Sequence, residues 1–386
     1  MTILGLYRVM SLSAGLGLIS AHVALATSPI QQLTDTPASN IRPAWSPDGR
    51  RVAFQSNRTG TYQVYIVDVD GSNESRIGAA DTDDRHPAWS PDGSLIAIDS
   101  GREGLREIWT IDVASGARTQ VTRLGAVASF PSWGPDGTIS FYLYRDGVLD
   151  IWLVGSDGSN PRRLTTGLAS EQNNQCTFAC HSATWSPDGR RLAYAAADQA
   201  QVWTMRASDG GDPVRVSSDG DGGRSHFPEY LADGRLTYVT EHVTPGRSWT
   251  DVWAIGPGGP ESRDAVLKDV QAQGPFEFSS DGQWMLFSSP RSGNFDIFLV
   301  PLTPEGKEAL KVQSANADPA PALAARESGQ TAAATRAPAA SRRTIPTSAL
   351  PPTASLFLAG VAGIGALWLA VEIAIRIGRS RRSNGS

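Results

Sequence analysis

Short apolar runs recur along this chain, each rich in β-branched or aromatic residues and each cut off by a polar segment carrying Asp and Gly. Val52-Ala53-Phe54, Leu95-Ile96-Ala97-Ile98, Ile139-Ser140-Phe141-Tyr142, Leu192-Ala193-Tyr194, Leu236-Thr237-Tyr238-Val239 and Trp284-Met285-Leu286-Phe287 form one set. A second set follows after a further polar turn, with an aromatic in mid-run: Gln63-Val64-Tyr65-Ile66-Val67, Glu107-Ile108-Trp109-Thr110-Ile111, Asp150-Ile151-Trp152-Leu153-Val154, Gln201-Val202-Trp203-Thr204-Met205, Asp251-Val252-Trp253-Ala254-Ile255 and Asp296-Ile297-Phe298-Leu299-Val300. Runs of this length and composition, bounded by turn residues, read as β-strands.

The runs are in phase with a repeated phrase. Pro43-Ala44-Trp45-Ser46-Pro47-Asp48-Gly49 returns at 87–93 and, altered, at 131–137, 183–189, 228–234 and 276–282. Proline presets φ and glycine accepts positive φ, so Ser-Pro-Asp-Gly predicts a tight turn feeding the next strand. The turn aspartates, Asp48, Asp92, Asp136, Asp188, Asp233 and Asp281, are 44, 44, 52, 45 and 48 residues apart. That period suits a four-stranded propeller blade. Short runs such as Gln120-Val121-Thr122 and Arg163-Leu164-Thr165 supply a fourth, outer strand. The sixth unit has none, while Gln31-Gln32-Leu33-Thr34 stands unmatched before the first repeat. The sequence therefore predicts an all-β, six-bladed propeller with four-stranded blades, closed by the N-terminal strand, which removes the largest exposed sheet edge.

The Trp-Ser-Pro-Asp-Gly phrase, its apolar strand, the Ser56-Asn57-Arg58-Thr59-Gly60 turn and the aromatic strand together resemble the TolB-like propeller repeat, over about residues 30 to 302. The resemblance implies the six-bladed fold. TolB proteins carry an extra N-terminal α/β domain and work with Tol and Pal envelope proteins; here the closing strand begins within a few residues of Ala26, leaving no room for that domain.

The chain ends suggest where such a propeller resides. Residues 1–26 combine Arg8, an apolar stretch from Val9 to Ile19 and Ala24-Leu25-Ala26, which reads as a signal peptide before a propeller at 27–302. An uncleaved anchor is the alternative. Residues 303–355, rich in Ala, Pro, Ser and Thr, read as a disordered stalk. Residues 356–377 are apolar apart from Glu372 and Arg376 and read as a transmembrane helix, with a basic cytoplasmic tail at 378–386. Glu372 pairs with Arg376 one turn on. Ala362, Ala366, Ala370 and Ala374 form a small-residue face suited to a homodimer, or reflect the ordinary abundance of alanine in membrane helices. Leu350-Pro351-Pro352-Thr353-Ala354 resembles a sortase signal with alanine for the usual glycine, a second route to the same extracytoplasmic placement.

A net charge of −5 gives no sign of nucleic-acid binding. Cys176 and Cys180 fall in the longest interval between repeats and predict a disulfide in an oxidising compartment; a metal or redox pair, with His181 adjacent, is the alternative reading. His86, His181 and His226 all lie just before a repeat phrase, where an innermost strand begins. With Arg42, Arg85 and Arg224 they are expected to ring one mouth of the central channel and bind a ligand, an anion or a peptide carboxylate. Hydrogen bonding between neighbouring blades is the structural alternative. Asp81-Thr82-Asp83-Asp84 and Asp219-Gly220-Asp221-Gly222 fall short of a calcium loop and read as solvated turns. No Gly-x-Ser-x-Gly elbow, His-Glu-x-x-His helix or phosphate loop occurs, and no cofactor or metal is called for. The expectation is a membrane-anchored, extracytoplasmic, non-catalytic binding module for a protein or peptide of the envelope. The alternative is a hydrolase or lyase built on the rim and acting on a small molecule or glycan.

Overall fold

The structure is a computed structural model and describes residues 30–102, 105–170, 183–196, 201–218, 222–244, 247–256, 259–270, 273–290 and 292–312. Twenty-five strands account for nearly all of its regular structure. The first repeat contributes β2 (Asn40–Trp45), β3 (Arg51–Ser56), β4 (Gln63–Asp68) and β5 (Ser75–Arg76), and the second β6 (Asp84–Trp89), β7 (Leu95–Arg102), β8 (Leu105–Asp112) and β9 (Arg118–Gln120). The third holds β10 (Val127–Trp133), β11 (Thr138–Arg145), β12 (Val148–Gly155), β13 (Arg162–Arg163) and β14 (Ala169–Ser170), and the fourth β15 (Thr184–Trp185), β16 (Arg191–Ala196), β17 (Gln201–Arg206) and β18 (Val214–Arg215). The fifth holds β19 (Arg224–Tyr230), β20 (Leu236–Thr244), β21 (Arg247–Ile255) and β22 (Arg263–Val270). The sixth has β23 (Gln273–Phe278), β24 (Trp284–Ser289) and β25 (Asp296–Pro301), and its fourth strand is β1 (Gln31–Gln32), antiparallel to β25 with Gln31 opposite Leu299. The two ends of the chain are thus joined in one sheet.

The fold is an all-β propeller with blades of four strands, but its hydrogen bonds do not define six separate sheets. There are four sheets of four strands and one of nine. The nine-stranded sheet unites the second and third repeats, because Val127 of β10 pairs in parallel with Arg106 of β8 and the Arg106 amide donates to the Ala126 carbonyl.

The core is divided into layers between consecutive repeats rather than gathered at one centre. Ala53, Val64 and Ile66 of the first repeat pack on Trp89, Ile96 and Ile98 of the second, and Leu286, Ile297 and Leu299 of the sixth pack on Val52, Phe54 and Val67 of the first. Innermost strands touch in a closed circuit, β2 to β6, β10, β15, β19, β23 and back to β2. Tryptophan bolts the circuit: the Trp89 indole donates to the Ala44 carbonyl at 3.2 Å, Trp133 to Ala88 at 3.0 Å, and Trp45 to Glu277 at 3.2 Å, across the junction of the chain ends. The repeated phrase also makes its predicted turn. In the first copy Ser46 Oγ donates to Asp48 at 2.6 Å and accepts the Arg51 amide, while Gly49 sits at φ 67°.

Two expectations for the C-terminal side meet different fates. Pro304–Val312 is not stalk but a helix, α1, capped by Thr303, whose Oγ accepts the Gly306 amide. Leu310 is 2 % exposed and packs with Val252, Leu267 and Val270. One apolar side chain with a layer to bury into is enough to extend the folded unit past residue 303. No helix among the described residues is long and apolar enough to cross a membrane. The signal peptide at 1–26, the rest of the stalk, the helix at 356–377 with Ala362, Ala366, Ala370 and Ala374, and the tail at 378–386 lie outside the described residues, as do Cys176, Cys180 and His181.

Candidate functional site

Four of the innermost strands carry the same local defect. In β2 Ile41 faces Gln55 and Ala44 faces Ala53, so Arg42 and Pro43 together oppose Phe54 alone. The same two-against-one bulge occurs at His86-Pro87, Phe130-Pro131 and Phe227-Pro228. Proline cannot donate to the ladder and restricts the residue ahead of it, so the strand sheds one residue at this point. Arg42, His86, Phe130 and Phe227 take up the irregularity at φ values of 59°, 53°, 56° and 52°. Left-handed backbone at large non-glycine residues is costly, and such strain gathers at functional sites.

Three of these side chains meet, although they come from three repeats. The His86 and Phe130 rings are 3.9 Å apart, and the Arg42 guanidinium stands over the Phe130 ring at 5.6 Å. Instead of a spaced ring around the mouth, they form a stack. Its base is Asp99, fully buried, whose Oδ1 lies 2.5 Å from His86 Nδ1 and accepts the Phe130 amide at 3.2 Å, and whose Oδ2 accepts Arg106 Nε at 2.6 Å. Burial alone would raise the Asp99 carboxyl, but His86 and Arg106 more than offset it and hold it well below the usual carboxylate range. Burial pulls His86 down despite Asp99, so the neutral imidazole donates Nδ1–H to the carboxylate.

The other expected rim residues part company. Arg85 turns to Asp83, with bonds of 2.9 and 3.0 Å, and lies over the Tyr62 ring, away from the stack. Arg224 is exposed at the start of β19. His226 is one residue out of phase with His86, because Phe227 takes the bulge position; it is 6 % exposed and its Nδ1 is buried without a partner. Burial, helped by Arg224, lowers it to about 3. The Asp81–Asp84 segment is not a solvated turn throughout: Asp84 is fully buried and bonded by Arg118 at 2.8 Å, and Asp83 is paired with Arg85 and Arg106. Gly222 is the only described residue of the second acidic loop.

Two residues missed in the sequence complete the site. Glu229 and Glu277 occupy the second position of the repeated phrase in the fifth and sixth repeats, where Ala44, Ala88, Ser132 and Thr184 stand in the others. Both are half-buried. Glu229 Oε2 accepts the Phe278 amide at 3.0 Å, which places its carboxyl against the strand that carries Glu277. Burial, reinforced by Glu277, pushes Glu229 well up, and burial pushes Glu277 to about 8 against the opposing pull of Arg42. Two acids at one position of the six aligned phrases were legible as a departure from the small residues of the other copies. Phe130 and Phe227 were legible too, as the residues holding the place of Arg42 and His86 before proline.

No family model matches the chain. An uncharacterised protein of Agrobacterium fabrum is 48 % identical over 46 residues, which is 12 % of this chain and 16 % of that protein, so the chain spans about a sixth of the curated relative it matches. Among solved structures, a putative TolB from Agrobacterium tumefaciens is similar with a TM-score of 0.52 at 19 % identity, covering 70 % of this chain and 96 % of that one. TolB from Acinetobacter baumannii is similar at 0.50 and 21 %, covering 67 % and 65 %. A gluconolactonase from Xanthomonas campestris is similar at 0.50 and 16 %, covering 70 % and 88 %. At these identities the likeness is one of fold, and the fold it shows is the β-propeller that TolB proteins share with propeller enzymes.

Proposed function

We propose that this chain is a six-bladed, TolB-type propeller, held at the outer side of a membrane, that binds a protein or peptide of the envelope through one mouth of its channel without catalysing a reaction. The circuit of innermost strands and the layer between the last repeat and the first support counting the nine-stranded sheet as two blades. The signal-like N-terminus and the apolar segment at 356–377 support the placement.

The observation that carries the binding reading is the stack of Arg42, His86 and Phe130 on strained bulges. Aromatic and arginine side chains on rigid backbone are the residues that dominate recognition sites. Asp99 and Arg106 hold the His86 ring in place, so the stack stands on a fixed base. The decisive experiment compares the full-length chain with R42A and F130A for capture of envelope proteins. Loss of one stoichiometric partner in both variants, with an unchanged melt, supports the reading; equal capture by all three removes the mouth from the argument. Protease accessibility of the propeller in intact cells tests the placement.

A rim-based hydrolase or lyase is the second reading, favoured by the two carboxyls with raised titration, a pattern that glycan-cleaving sites use. Glycan turnover abolished in E277Q would replace the binding reading with this one.

A further inference from the structure

The third position of the repeated phrase is tryptophan in the first four copies, Tyr230 in the fifth and Phe278 in the sixth. Each tryptophan bolts its repeat to the one before: Trp45, Trp89 and Trp133 donate to backbone carbonyls, and the Trp185 indole donates to Ser140 Oγ at 3.0 Å. Phe278 has no such donor, but its side chain is buried in the layer between the fifth and sixth repeats, and its amide is held by Glu229. Tyr230 has neither kind of anchor. Its side chain is half-buried, and its hydroxyl makes no hydrogen bond among the described residues.

The accompanying arginine differs as well. At the first junction Arg51 lays its guanidinium over the Trp89 ring, 4.9 Å from the centroid. Arg191, which follows the fourth turn as Arg51 follows the first, is tied back onto its own repeat, to Thr204 Oγ1 at 3.1 Å and to the carboxylate and carbonyl of Asp212 at 2.9 and 3.0 Å.

A cleft of about 630 Å³ opens at this junction. Its walls include Pro187, Val214 and Val216 of the fourth repeat and Tyr230, Leu236 and Ile255 of the fifth. Val216, Leu236 and Ile255 are buried members of the apolar layer packed between these two repeats, so the cleft cuts down to that layer. Val214, 39 % exposed, carries the apolar wall outward to the surface. The volume lies within the range of about 300 to 1,000 Å³ that ligand sites occupy.

We propose that the cleft between the fourth and fifth repeats is a binding site for an aromatic side chain, indole foremost, presented by a partner peptide. The protein supplies the template itself: in four of the six repeats an indole completes the joint with the preceding repeat, and in the fifth that joint is left unfinished. An incoming ring displaces water from Val216, Leu236 and Ile255 and packs against the Tyr230 ring. The Tyr230 hydroxyl, which burial keeps protonated, is a donor for the peptide beside the ring. The cleft is open rather than enclosed, which leaves the chain on either side of the ring a way out. The site lies at the turn end of the innermost strands, away from the bulges that carry the Arg42, His86 and Phe130 stack, so the proposal goes beyond the reading of the mouth and does not rest on it.

The test is ligand-observed NMR titration of the full-length chain with N-acetyl-tryptophanamide, N-acetyl-leucinamide and free indole. The expected result is saturable binding of the tryptophan amide, tighter than that of the leucine amide. Tyr230→Trp puts the missing indole into the cleft; it should weaken binding about tenfold or more while melting at or above the wild-type temperature. Val214→Glu, at an exposed edge, should weaken binding about threefold or more with the fold intact, and it decides alone if the first variant does not fold. Absence of saturable binding, equal binding of the leucine amide, or undiminished binding by the folded variants would each overturn the proposal. Binding of free indole without the amide would overturn the peptide occupant and leave a small-molecule site.

Discussion

Asp296 and Glu277 are acids of the same sheet, one on β25 and one on β23, and the molecule treats them in opposite ways. Asp296, fully buried where the chain ends meet, accepts Thr34 Oγ1 at 2.9 Å and Asn40 Nδ2 at 2.8 Å on one oxygen, and Gln32 Nε2 at 3.2 Å and Ser292 Oγ at 2.6 Å on the other. Its donors come from both termini of the propeller, so the carboxylate is a clasp. Glu277, half-buried beside Glu229, has no comparable shell. A buried acid whose oxygens are filled serves the fold. One without such donors among the described residues is a cost that hydrogen bonding does not offset, and the contrast separates architecture from candidate chemistry.

The largest test of that contrast is deletion of Ile30 to Thr34. It removes β1, the buried Ile30, Leu33 and Thr34, and two of the five donors to Asp296. Thermal unfolding should fall by about 10 °C or more, with aggregation through the bared edge of β25; a drop of only a degree or two would mean that the ring is held elsewhere. Next comes Asp296→Ala, which strands five donors and should cost about 3 kcal/mol or more in denaturant unfolding. Glu277→Gln should cost nothing at neutral pH. Because the folded protein holds the Glu277 proton up to about 8 while the unfolded chain releases it near the ordinary 4.5, the folded state binds more protons, and stability falls as pH rises between those values. The Gln variant should flatten that slope, and a slope equal to wild type would show that Glu277 is not its source. His226 runs the other way. Its folded value of about 3 lies below the ordinary 6.5, so stability falls as pH drops below 6.5, and His226→Phe should lessen the loss measured between pH 6.5 and 4. The smallest effect belongs to Trp89→Phe, which deletes one bolt and should cost about 1 kcal/mol.

Much of the architecture was legible because the repeat is redundant. Trp-Ser-Pro-Asp-Gly fixes turn, strand and bolt together, and an unmatched Gln31-Gln32-Leu33-Thr34 could belong only to the sheet that lacked a strand. The fusion of the second and third repeats was not legible, since it rests on one parallel pair, Val127 with Arg106, from strands of different repeats. Neither was α1, whose single buried leucine is too weak a periodic signal to stand out in alanine-rich sequence. At the site, Arg42 and His86 were found through their place before proline. Arg85, Arg224 and His226 were grouped with them because closeness in sequence was read as equal phase, and a bulge makes neighbouring residues point differently. The role of Asp99 is set by Arg106 and Phe130, which approach it only in three dimensions.

Pairing of β1 with β25 also constrains the order of events in the life of the chain. Gln31 is made 268 residues before its partner Leu299. Until then the opening strand has nowhere to dock, and the nascent polypeptide carries an open arc with two bare edges. Closure is therefore a single late event that waits on completion of the last repeat, and a ribosome stalled within it would release a product unable to mature, however well its earlier repeats had formed.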